Sequence, residues 1–469
     1  MNSNFVIVGG GLSSLMVATK LKKDHPSCNL TIIEREKELG GMYKSFDYGK
    51  FGHFDHGMHI FYESCIPEID DILIDSIGKD EWNFWEGNRK DIAGLYYNGK
   101  MQKNSPYVDM RSFDEATQKN ALADFFFNLK SNTPEVKESA LAYLTSRFGH
   151  TIATEVFTPI LKKFYLMDSA QLDVLALKLI TATDRVIFFD ESQMLDIMKS
   201  DLIRSRLAFP EQMNLPLTYR SNKQRSFYPK KFGMFRVIEG FREKLQKQGV
   251  NFILGANITS LVLKDNKIEG IHLKKNNDEI QIGQISQLIW SAGLVPLSFA
   301  LGLKFKLPPV IKKPPTYYVN LIFNKKVKMD ELYYLYCYQS EFSTFRITNY
   351  SNFCPNAFNP EIGQPICVEF WPNLAEGMTE EKIQSEVLKE LTIFDVIDDT
   401  YELTFSKVEP VHAGFPTPTI ESTKAINNLR EAIKEEKISN LINIGILAEE
   451  NVFFFKDVLI DGFSKIKGL

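Results

Sequence analysis

Hydrophobic positions near the N-terminus follow the pattern of a strand, a turn, a helix and a second strand. The run Phe5–Gly10 is continuous, apolar and β-branched, which is typical of a buried parallel strand. A helical period follows over Leu12–Leu21, and Leu30–Glu34 predicts a second buried strand. This succession within about 30 residues predicts a βαβ unit with a right-handed crossover.

The rest of the pattern divides the chain into helical and strand-rich regions. Residues 70–201 predict mainly helices, and residues 228–249 include an amphipathic helix. Short strands are predicted over 250–293, alternating strands over 314–411, and a strand, glycine turn and helix over 438–469. The pattern therefore predicts a discontinuous nucleotide-binding domain with inserted material.

The first glycine turn is an imperfect dinucleotide-binding loop. Gly9 permits the tight turn, Gly11 lets the backbone approach a pyrophosphate, and Ser14 stands where a third glycine would let helix and strand pack closely. Because serine is small, we expect this packing to be strained but tolerated. Glu34 ends the second strand, where a carboxylate accepts both ribose hydroxyls and repels a 2′-phosphate. The loop predicts a dinucleotide other than NADP, the alternative being an ordinary structural turn.

A second glycine pair indicates which dinucleotide is bound. Gly40 and Gly41 follow shortly after Glu34. A simple NAD domain has no need of glycines there, whereas in flavoproteins this loop crosses the FAD pyrophosphate, where bulky side chains would block the approach. The spacing favours FAD, again with an ordinary turn as the alternative.

Composition excludes several other classes of protein. The 469 residues allow two or three domains, and 55 basic against 59 acidic residues, without a basic block, predict no nucleic-acid partner. Five scattered cysteines without a CxxC pair indicate a reducing, cytoplasmic compartment. Strand-like residues from Phe5 leave no room for a signal peptide, and no apolar run is long enough for a transmembrane segment. A peripheral contact with a membrane is compatible with the sequence.

His53, His56 and His59 have mixed spacing and no nearby thiolate, so we predict no metal site.

The motifs resemble a family of flavoproteins. The stretch Glu34–Ser45 resembles the second motif of the FAD-dependent amine oxidase / protoporphyrinogen oxidase / UDP-galactopyranose mutase superfamily, and Asp55–Ser64 is similar to the YGPHIFHT-type segment of the mutases. Further resemblances to the superfamily, closest to the mutase-like proteins, cover residues 227–245, 249–263, 288–293, 414–433 and 443–463. The resemblance is much weaker over 65–225 and 300–410.

The resemblance implies an α/β fold with a discontinuous, glutathione-reductase-type Rossmann FAD-binding domain. It also implies a substrate domain on a mixed sheet of six strands, with a helical insert. The expected FAD-binding domain consists of three segments, residues 1–65, 226–300 and 436–469. The mainly helical insert is expected over 66–225, and the substrate-domain sheet over 301–435.

The resemblance also implies FAD as the cofactor, with the C-terminal helix pointing its N-terminus at the N1/O2 edge of the flavin. Reduced flavin is anionic at N1, and a helix N-terminus stabilises negative charge. The expected cofactor-binding residues are Gly9, Gly11, Leu12, Ser13, Ser14, Glu34, Arg35, Gly40, Gly41, Met42, Gly57, Met58, Ile258, Gly445, Lys456, Asp457 and Val458.

The mutase branch implies a nucleotide-activated sugar as the small-molecule substrate, in surface-glycan biosynthesis. In that branch N5 of the reduced flavin attacks the anomeric carbon. The other form of this prediction is a related enzyme that oxidises or reduces the activated sugar. His59 matches the mutase histidine close to the flavin and is the catalytic candidate, the alternative being a packed core histidine. A flavin reductant such as NAD(P)H and an oligomer are compatible with the sequence. The expected substrate-binding residues are Arg185, Arg346, Phe61 and Phe453.

Departures from the mutase pattern leave two alternatives open. Ile446 stands where the mutases have an arginine, and Phe453–Phe455 replace tyrosines that hold the diphosphate, which phenylalanine cannot do. These departures favour an oxidoreductase of the amine oxidase, desaturase or protoporphyrinogen oxidase type. Ser14 invites another alternative, a non-enzymatic binding protein like the Rab GDP-dissociation inhibitors, against which the intact glycines and Glu34 argue.

Overall fold

The computed structural model describes residues 3–129, 139–220, 224–276, 278–306, 315–371, 378–411 and 417–469. Residues 414–416, the start of one stretch that resembles the mutases, lie outside the described residues. The strands described are β1 (Asn4–Val8), β2 (Asn29–Glu34), β3 (Ser45–Asp47), β4 (His53–Asp55), β5 (Phe61–Tyr62), β6 (Trp82–Trp85), β7 (Ala93–Tyr97), β8 (Lys100–Gln102), β9 (Val108–Asp109), β10 (Val186–Ile187), β11 (Ser226–Pro229), β12 (Asn251–Leu254), β13 (Ala256–Lys264), β14 (Lys267–Lys275), β15 (Asp278–Gly283), β16 (Gln287–Trp290), β17 (Thr316–Phe323), β18 (Tyr334–Cys337), β19 (Thr344–Asn349), β20 (Gln364–Phe370), β21 (Leu403–Val411) and β22 (Leu441–Asn443).

The α-helices of the same residues are α1 (Leu12–Asp24), α2 (Pro67–Asp75), α3 (Glu115–Phe127), α4 (Ala140–Phe148), α5 (Thr158–Tyr165), α6 (Glu191–Ile197), α7 (Asp201–Arg204), α8 (Phe235–Lys247), α9 (Leu294–Ala300), α10 (Tyr350–Phe353), α11 (Glu380–Ile393), α12 (Ile420–Glu435) and α13 (Phe455–Ile466). Among these residues, no helix has the length and apolar character that crossing a membrane requires.

A parallel sheet of five strands, in the order β12-β2-β1-β16-β22, gathers segments from both ends and the middle of the chain. Successive side chains of β1 point to opposite faces, so Phe5 and Ile7 join one buried cluster while Val6 and Val8 join another. Helix α1 packs against α8 and α13, and the antiparallel sheet β13-β14-β15 adds to the second cluster. Both faces of the parallel sheet are therefore covered, which explains its continuous apolar strands.

The largest sheet among the described residues is a mixed sheet of seven strands, in the order β21-β17-β20-β19-β18-β7-β8. The resemblance implied six strands, and residues 66–225, predicted to be mainly helical, also contain the short strands β6 to β10. Strands β7 and β8 are joined by Asn98–Gly99, with φ of +50° and +72°. An Asn-Gly pair between apolar residues is a strong hairpin signal, which the helical prediction overlooked. The division into five segments itself stays a proposal.

Asp55 connects the parallel-sheet region to the mixed sheet. Its fully buried carboxylate accepts hydrogen bonds from Ser45 Oγ at 2.7 Å, Met234 N at 2.8 Å and Tyr228 Oη at 2.5 Å, and Tyr350 Oη donates to its backbone oxygen at 3.0 Å. Burial raises the pKa of Asp55, and the hydrogen bonds oppose that rise. These contacts fix the start of the segment that carries His56 and His59.

Candidate functional site

The carboxyl ends of β1, β16 and β22 converge on a glycine-rich cradle. Gly9 has a φ of +103°, and a Cβ on this residue would lie 2.8 Å from Ser291 Oγ. Gly445 has a φ of +113°, and a Cβ there would lie 3.5 Å from Ser291 O. Gly11 precedes α1, and a Cβ there would meet no atom within 4 Å. Ligands of open α/β sheets bind at the carboxyl ends of strands, where helix N-termini favour phosphate. The open space at Gly11 fits a pyrophosphate.

Ser14 belongs to the packing between α1 and β16. The side chain is fully buried, and its Oγ lies 2.7 Å from Ser291 Oγ, a hydrogen bond in which either hydroxyl donates. Helix α1 therefore contacts the end of β16 through this hydrogen bond, whereas a glycine at position 14 would let the two backbones pack directly against each other. The loop is intact with serine at this position.

The second glycine pair lies directly against the first loop. Gly40 N donates to Gly10 O at 2.8 Å, and a Cβ on Gly41 would lie 3.6 Å from Gly11 Cα. Glu34 is held by two backbone amides, Gly10 N at 2.6 Å and Glu36 N at 2.8 Å. The structure thus brings the glycines and Glu34 together into one wall, and its side-chain-free face fits a dinucleotide.

Other expected cofactor residues occupy different positions. Arg35 is largely exposed and pairs with Glu36 at 3.2 Å, and Ile258 packs on β13 against the second buried cluster. Asp457 Oδ2 accepts from Phe454 N at 2.9 Å, so this carboxylate caps the N-terminus of α13. The direct role expected for Asp457 is weakened, because its carboxylate is engaged by the helix start.

The remaining expected residues lie next to these elements. Leu12 and Ser13 are in the first turn of α1, Met42 follows the second glycine pair, and Lys456 and Val458 are in the first turn of α13, where Val458 is buried.

An aromatic cluster joins the second glycine loop to the start of α13. The Tyr43 ring centroid lies 5.0 Å from that of His59, and 5.3 Å from those of both Phe61 and Phe455. Phe61 is 3% exposed, so it acts as core in this arrangement, and Phe453 is 1% exposed. Both were expected to touch substrate, and their burial argues for a packing role. Tyr43 was not among the expected site residues, although it lies only two residues after Gly41.

Two histidines carry ring nitrogens that are buried without a partner among the described residues: His56 Nδ1 and His59 Nε2. Burial lowers the pKa of His59 to about 3, with the charge of Arg346 acting in the same direction, and burial lowers the pKa of His56 to about 4. Both imidazoles are therefore neutral at physiological pH. A buried polar atom without a partner is costly, and a bound cofactor or substrate would satisfy it.

A row of polar residues crosses the mixed sheet beside His59. The strand register places Tyr336, Arg346, Glu369 and Tyr318 next to one another on four adjacent strands. Arg346 Nε donates to Glu369 Oε1 at 2.6 Å, and the Arg346 side chain is 18% exposed. Burial raises the pKa of the Glu369 carboxyl, while Arg346 and the amide of Met58 oppose that rise. The guanidinium expected to bind substrate is thus already engaged by a carboxylate.

Gly57 seats the histidine segment on this row. With φ of +79°, a Cβ on Gly57 would lie 2.6 Å from Glu369 Oε1. Only glycine combines this backbone conformation with so close an approach. The Arg346–Glu369 pair therefore fixes the position of His56 and His59.

Further along the same face lies a group of tyrosines. The ring centroids of Tyr336 and Tyr338 are 5.2 Å apart, as are those of Tyr334 and Tyr336. The Asp91 carboxylate accepts hydrogen bonds from Tyr334 and Tyr62. The alternation YLYCY, in which every second residue is a tyrosine, is the signal that the sequence offers for this group.

Comparisons with known proteins agree with this architecture. Residues 7–73 match the family described as NAD(P)-binding Rossmann-like domain. The chain is similar to a reduced UDP-galactopyranose mutase, with a TM-score of 0.73 and 16% identity over 98% of this chain and 94% of that one. It is also similar to a protein described as a protoporphyrinogen oxidase from Exiguobacterium sp. 255-15, with a TM-score of 0.65 and 15% identity over 99% and 98%. No curated protein gives a significant match to the sequence.

A third similar structure is a CLA-producing fatty acid isomerase from P. acnes, with a TM-score of 0.55 and 14% identity over 98% of this chain and 97% of that one. The fold and its glycine cradle first define a dinucleotide-binding Rossmann protein with a second domain on a mixed sheet. More specifically, the fold is the one of the solved structures of a UDP-galactopyranose mutase and of a protein described as a protoporphyrinogen oxidase, which agrees with the resemblance found in the sequence and confirms the predicted fold class. The named neighbours are enzymes, in agreement with the prediction of an enzyme.

Proposed function

We propose that this chain is an FAD-dependent enzyme that acts on a nucleotide-activated sugar. One observation carries the substrate class: the cradle and His59 adjoin a sheet face rich in tyrosine hydroxyls and charged groups, from Tyr318 through Arg346 to Tyr338. Such a face suits a substrate with many hydroxyl and phosphate oxygens, because each of these needs a donor in a buried site. A flat apolar substrate would leave the donors without partners.

The cofactor assignment rests on fit. Open space at Gly11, a carboxylate fixed at Glu34, and the N-terminus of α1 match a ribose and a pyrophosphate. Reduced FAD would supply a nucleophilic N5, the chemistry that the mutase resemblance implies. Within this proposal, His59 and Tyr43 line the flavin region, and the start of α13 favours negative charge there.

The residues of the chain have separate tasks in this proposal. His59 stays neutral and presents Nε2 as a hydrogen-bonding atom toward the reacting centre. Arg346 and Glu369 form a pair that holds the histidine segment and keeps a fixed positive group near it. Tyr336 and Tyr338 orient the substrate through their hydroxyls, and the buried face keeps water away from the reaction.

The oxidoreductase alternative keeps one supporting observation. Ile446 and Phe454 are 44% and 45% exposed, so the loop before α13 offers apolar groups where the mutases have an arginine and tyrosines. An oxidase acting on a less polar substrate would use such a surface. The binding-protein alternative loses its main support, because Ser14 is accommodated by Ser291.

The test is turnover by the FAD-loaded protein with and without dithionite. A panel of UDP- and TDP-sugars, including UDP-galactopyranose, is incubated with both forms and followed by HPLC. We expect a sugar nucleotide to be converted only by the reduced form. Oxygen consumption without reductant would replace the proposal by the oxidase alternative, and a protein that takes up no FAD would remove both enzymatic functions.

A further inference from the structure

A cavity of about 400 Å³ lies between the β3–β4 hairpin, the segment that leads into α8, and the ends of β17 and β20. Four of its lining side chains are basic: Lys50, His53, Lys231 and Arg236. Among the described residues, the lining includes neither an aspartate nor a glutamate. The volume lies within the range of about 300–1,000 Å³ that is usual for small-molecule sites. The cavity therefore has both the size and the charge to receive an anion.

This cavity is separate from the candidate site. It has no lining residue in common with the glycine cradle, with His59 or with the tyrosine group. The two arginines expected to bind substrate also lie elsewhere: Arg185 Cζ is 6.0 Å from the ring centroid of Tyr107, and Arg346 pairs with Glu369. A ligand in the cavity would therefore bind without occupying the reaction site.

Two other cavities of similar volume differ in charge. The first, of about 390 Å³, is lined by four carboxylates and one arginine: Asp109, Asp190, Glu191, Glu211 and Arg111. In the second, of about 370 Å³, basic and acidic side chains occur together, and Lys306 Nζ lies 3.7 Å from Glu421 Oε1. The chain as a whole has 59 acidic and 55 basic residues, so its composition does not favour a wall with basic groups alone. The basic cavity is thus a distinct feature of the molecule.

Two carboxylates near the basic groups give them little compensation. His53 Nε2 lies 3.7 Å from Asp47 Oδ1, and Lys231 Nζ lies 4.0 Å from Glu81 Oε2. The side chains of Asp47 and Glu81 are 64% and 47% exposed. Because long and exposed ion pairs contribute little, the positive charge at the cavity is available to a ligand.

Phe235 sets His53 and Arg236 side by side. The His53 ring stacks on the Phe235 ring with centroids 4.0 Å apart, and Arg236 Cζ lies 4.9 Å from the same Phe235 centroid. Arg236 Nε donates to the backbone oxygen of Phe232 at 3.1 Å, and its terminal N–H groups form no hydrogen bond with a described residue. The guanidinium therefore has a fixed position at the wall and keeps donors for a ligand.

Two further phenyl rings give the cavity an apolar wall. Phe51 is held by Phe405 of the mixed sheet, with ring centroids 4.6 Å apart, and Phe232 is held by Tyr350, with centroids 4.7 Å apart. A Cβ on Gly52 would meet no atom within 4 Å, so the hairpin turn leaves open space beside Phe51. A ligand that combines a phosphate with a flat ring would use both the basic and the aromatic part of the wall.

We propose that this cavity binds an organic phosphate of about nucleotide size, as a second ligand site of the molecule. Lysine and arginine bind phosphate oxygens through charge-assisted hydrogen bonds, and the rings of Phe51 and Phe232 suit a nucleobase or a similar flat group. The inference does not depend on the proposed function, since none of the lining residues takes part in the proposed reaction.

A ligand in the cavity would join two segments that are already joined by Asp55. The Asp55 carboxylate accepts a hydrogen bond from Met234 N at 2.8 Å. His53 precedes Asp55 by two positions and Arg236 follows Met234 by two, so a phosphate bound by both would connect the same two segments. His56 follows directly after Asp55. Because a ligand that binds only the folded state stabilises it, occupancy should raise the melting temperature.

The experiment is isothermal titration calorimetry of the FAD-loaded, desalted protein with AMP, adenosine and inorganic phosphate. We expect AMP to bind more tightly than either fragment, because only AMP carries both the phosphate and the ring. Lys231→Gln and Arg236→Gln should each weaken AMP binding at least about tenfold, since each removes a charge-assisted hydrogen bond. Arg242→Gln is the matched control. Arg242 lies on α8 as Arg236 does, pairs with Glu239 at 3.3 Å and does not line the cavity, so AMP binding should stay within about twofold.

Arg236→Lys keeps the charge and should recover part of the affinity, which a purely structural role of Arg236 would not predict. Flavin absorbance per chain and melting temperatures without AMP establish that the variants are folded. Wild-type protein that does not bind AMP would overturn the inference, as would unchanged AMP affinity in both glutamine variants, since AMP would then bind elsewhere. Adenosine that binds as tightly as AMP would reject the anion site, and inorganic phosphate that binds as tightly as AMP would reject an organic ligand.

Discussion

The glycine cradle and the polar face of the mixed sheet are suited to ligands by opposite means. The cradle offers backbone and empty space: a Cβ on Gly11 would have no neighbour within 4 Å, and a Cβ on Gly41 would meet only Gly11 Cα. The sheet face offers side chains, with Arg346 and Glu369 buried as an ion pair between tyrosines. The cradle therefore offers space because side chains are absent, whereas the sheet face offers charged groups that are present and paired.

The largest expected effect comes from filling the cradle. Gly11→Leu should abolish FAD binding, because the side chain enters the space expected for the pyrophosphate. The φ of Gly11 is −70°, which any residue adopts, so the variant should remain folded. Gly283→Leu is the control, since Gly283 also has open space at its Cβ and lies at the end of β15. Flavin absorbance per protein after reconstitution and desalting measures the difference, and a flavin-loaded Gly11→Leu protein would refute the cradle.

Breaking the buried pair should have the next largest effect. Glu369→Gln leaves the Arg346 charge buried without its carboxylate, a change that costs about 3–5 kcal/mol of unfolding free energy. The control is Glu239→Gln, which removes an exposed ion pair with Arg242 and should cost less than about 1 kcal/mol. Urea unfolding of both variants gives the comparison. Equal losses in the two would show that the Arg346–Glu369 pair does not anchor the histidine segment.

The smallest expected effect concerns the serine in the loop. Ser14→Gly removes the hydrogen bond to Ser291 and should lower the unfolding free energy by about 1 kcal/mol while FAD is still bound. The same reconstitution assay and urea unfolding measure both quantities. Stronger FAD binding together with higher stability would mean that Ser14 damages the loop and does not support it.

The two regions also differ in how far the sequence predicts them. Glycine positions are local signals, since a turn with φ near +103° at Gly9 needs glycine whatever the rest of the chain does. The glycines of both loops therefore stand out in the sequence, and in the structure Gly10 N donates to Glu34 and Gly40 N donates to Gly10 O. The contact between Ser14 and Ser291, separated by 277 positions, is not a local signal and needed the structure.

The sheet face depends on register between distant strands. Tyr318, Arg346 and Glu369 become neighbours only through the pairing of β17, β20 and β19, which no local pattern specifies. The sequence therefore predicted Arg346 as a free substrate arginine, whereas the structure pairs it with Glu369.

Binding of FAD in the cradle is tested most directly by the visible spectrum. Purified protein is mixed with FAD, desalted, and its absorption recorded before and after dithionite. We expect about one bound flavin per chain, bleached by the reductant. Protein free of flavin absorption after this treatment would contradict the cofactor assignment and with it the proposed enzyme.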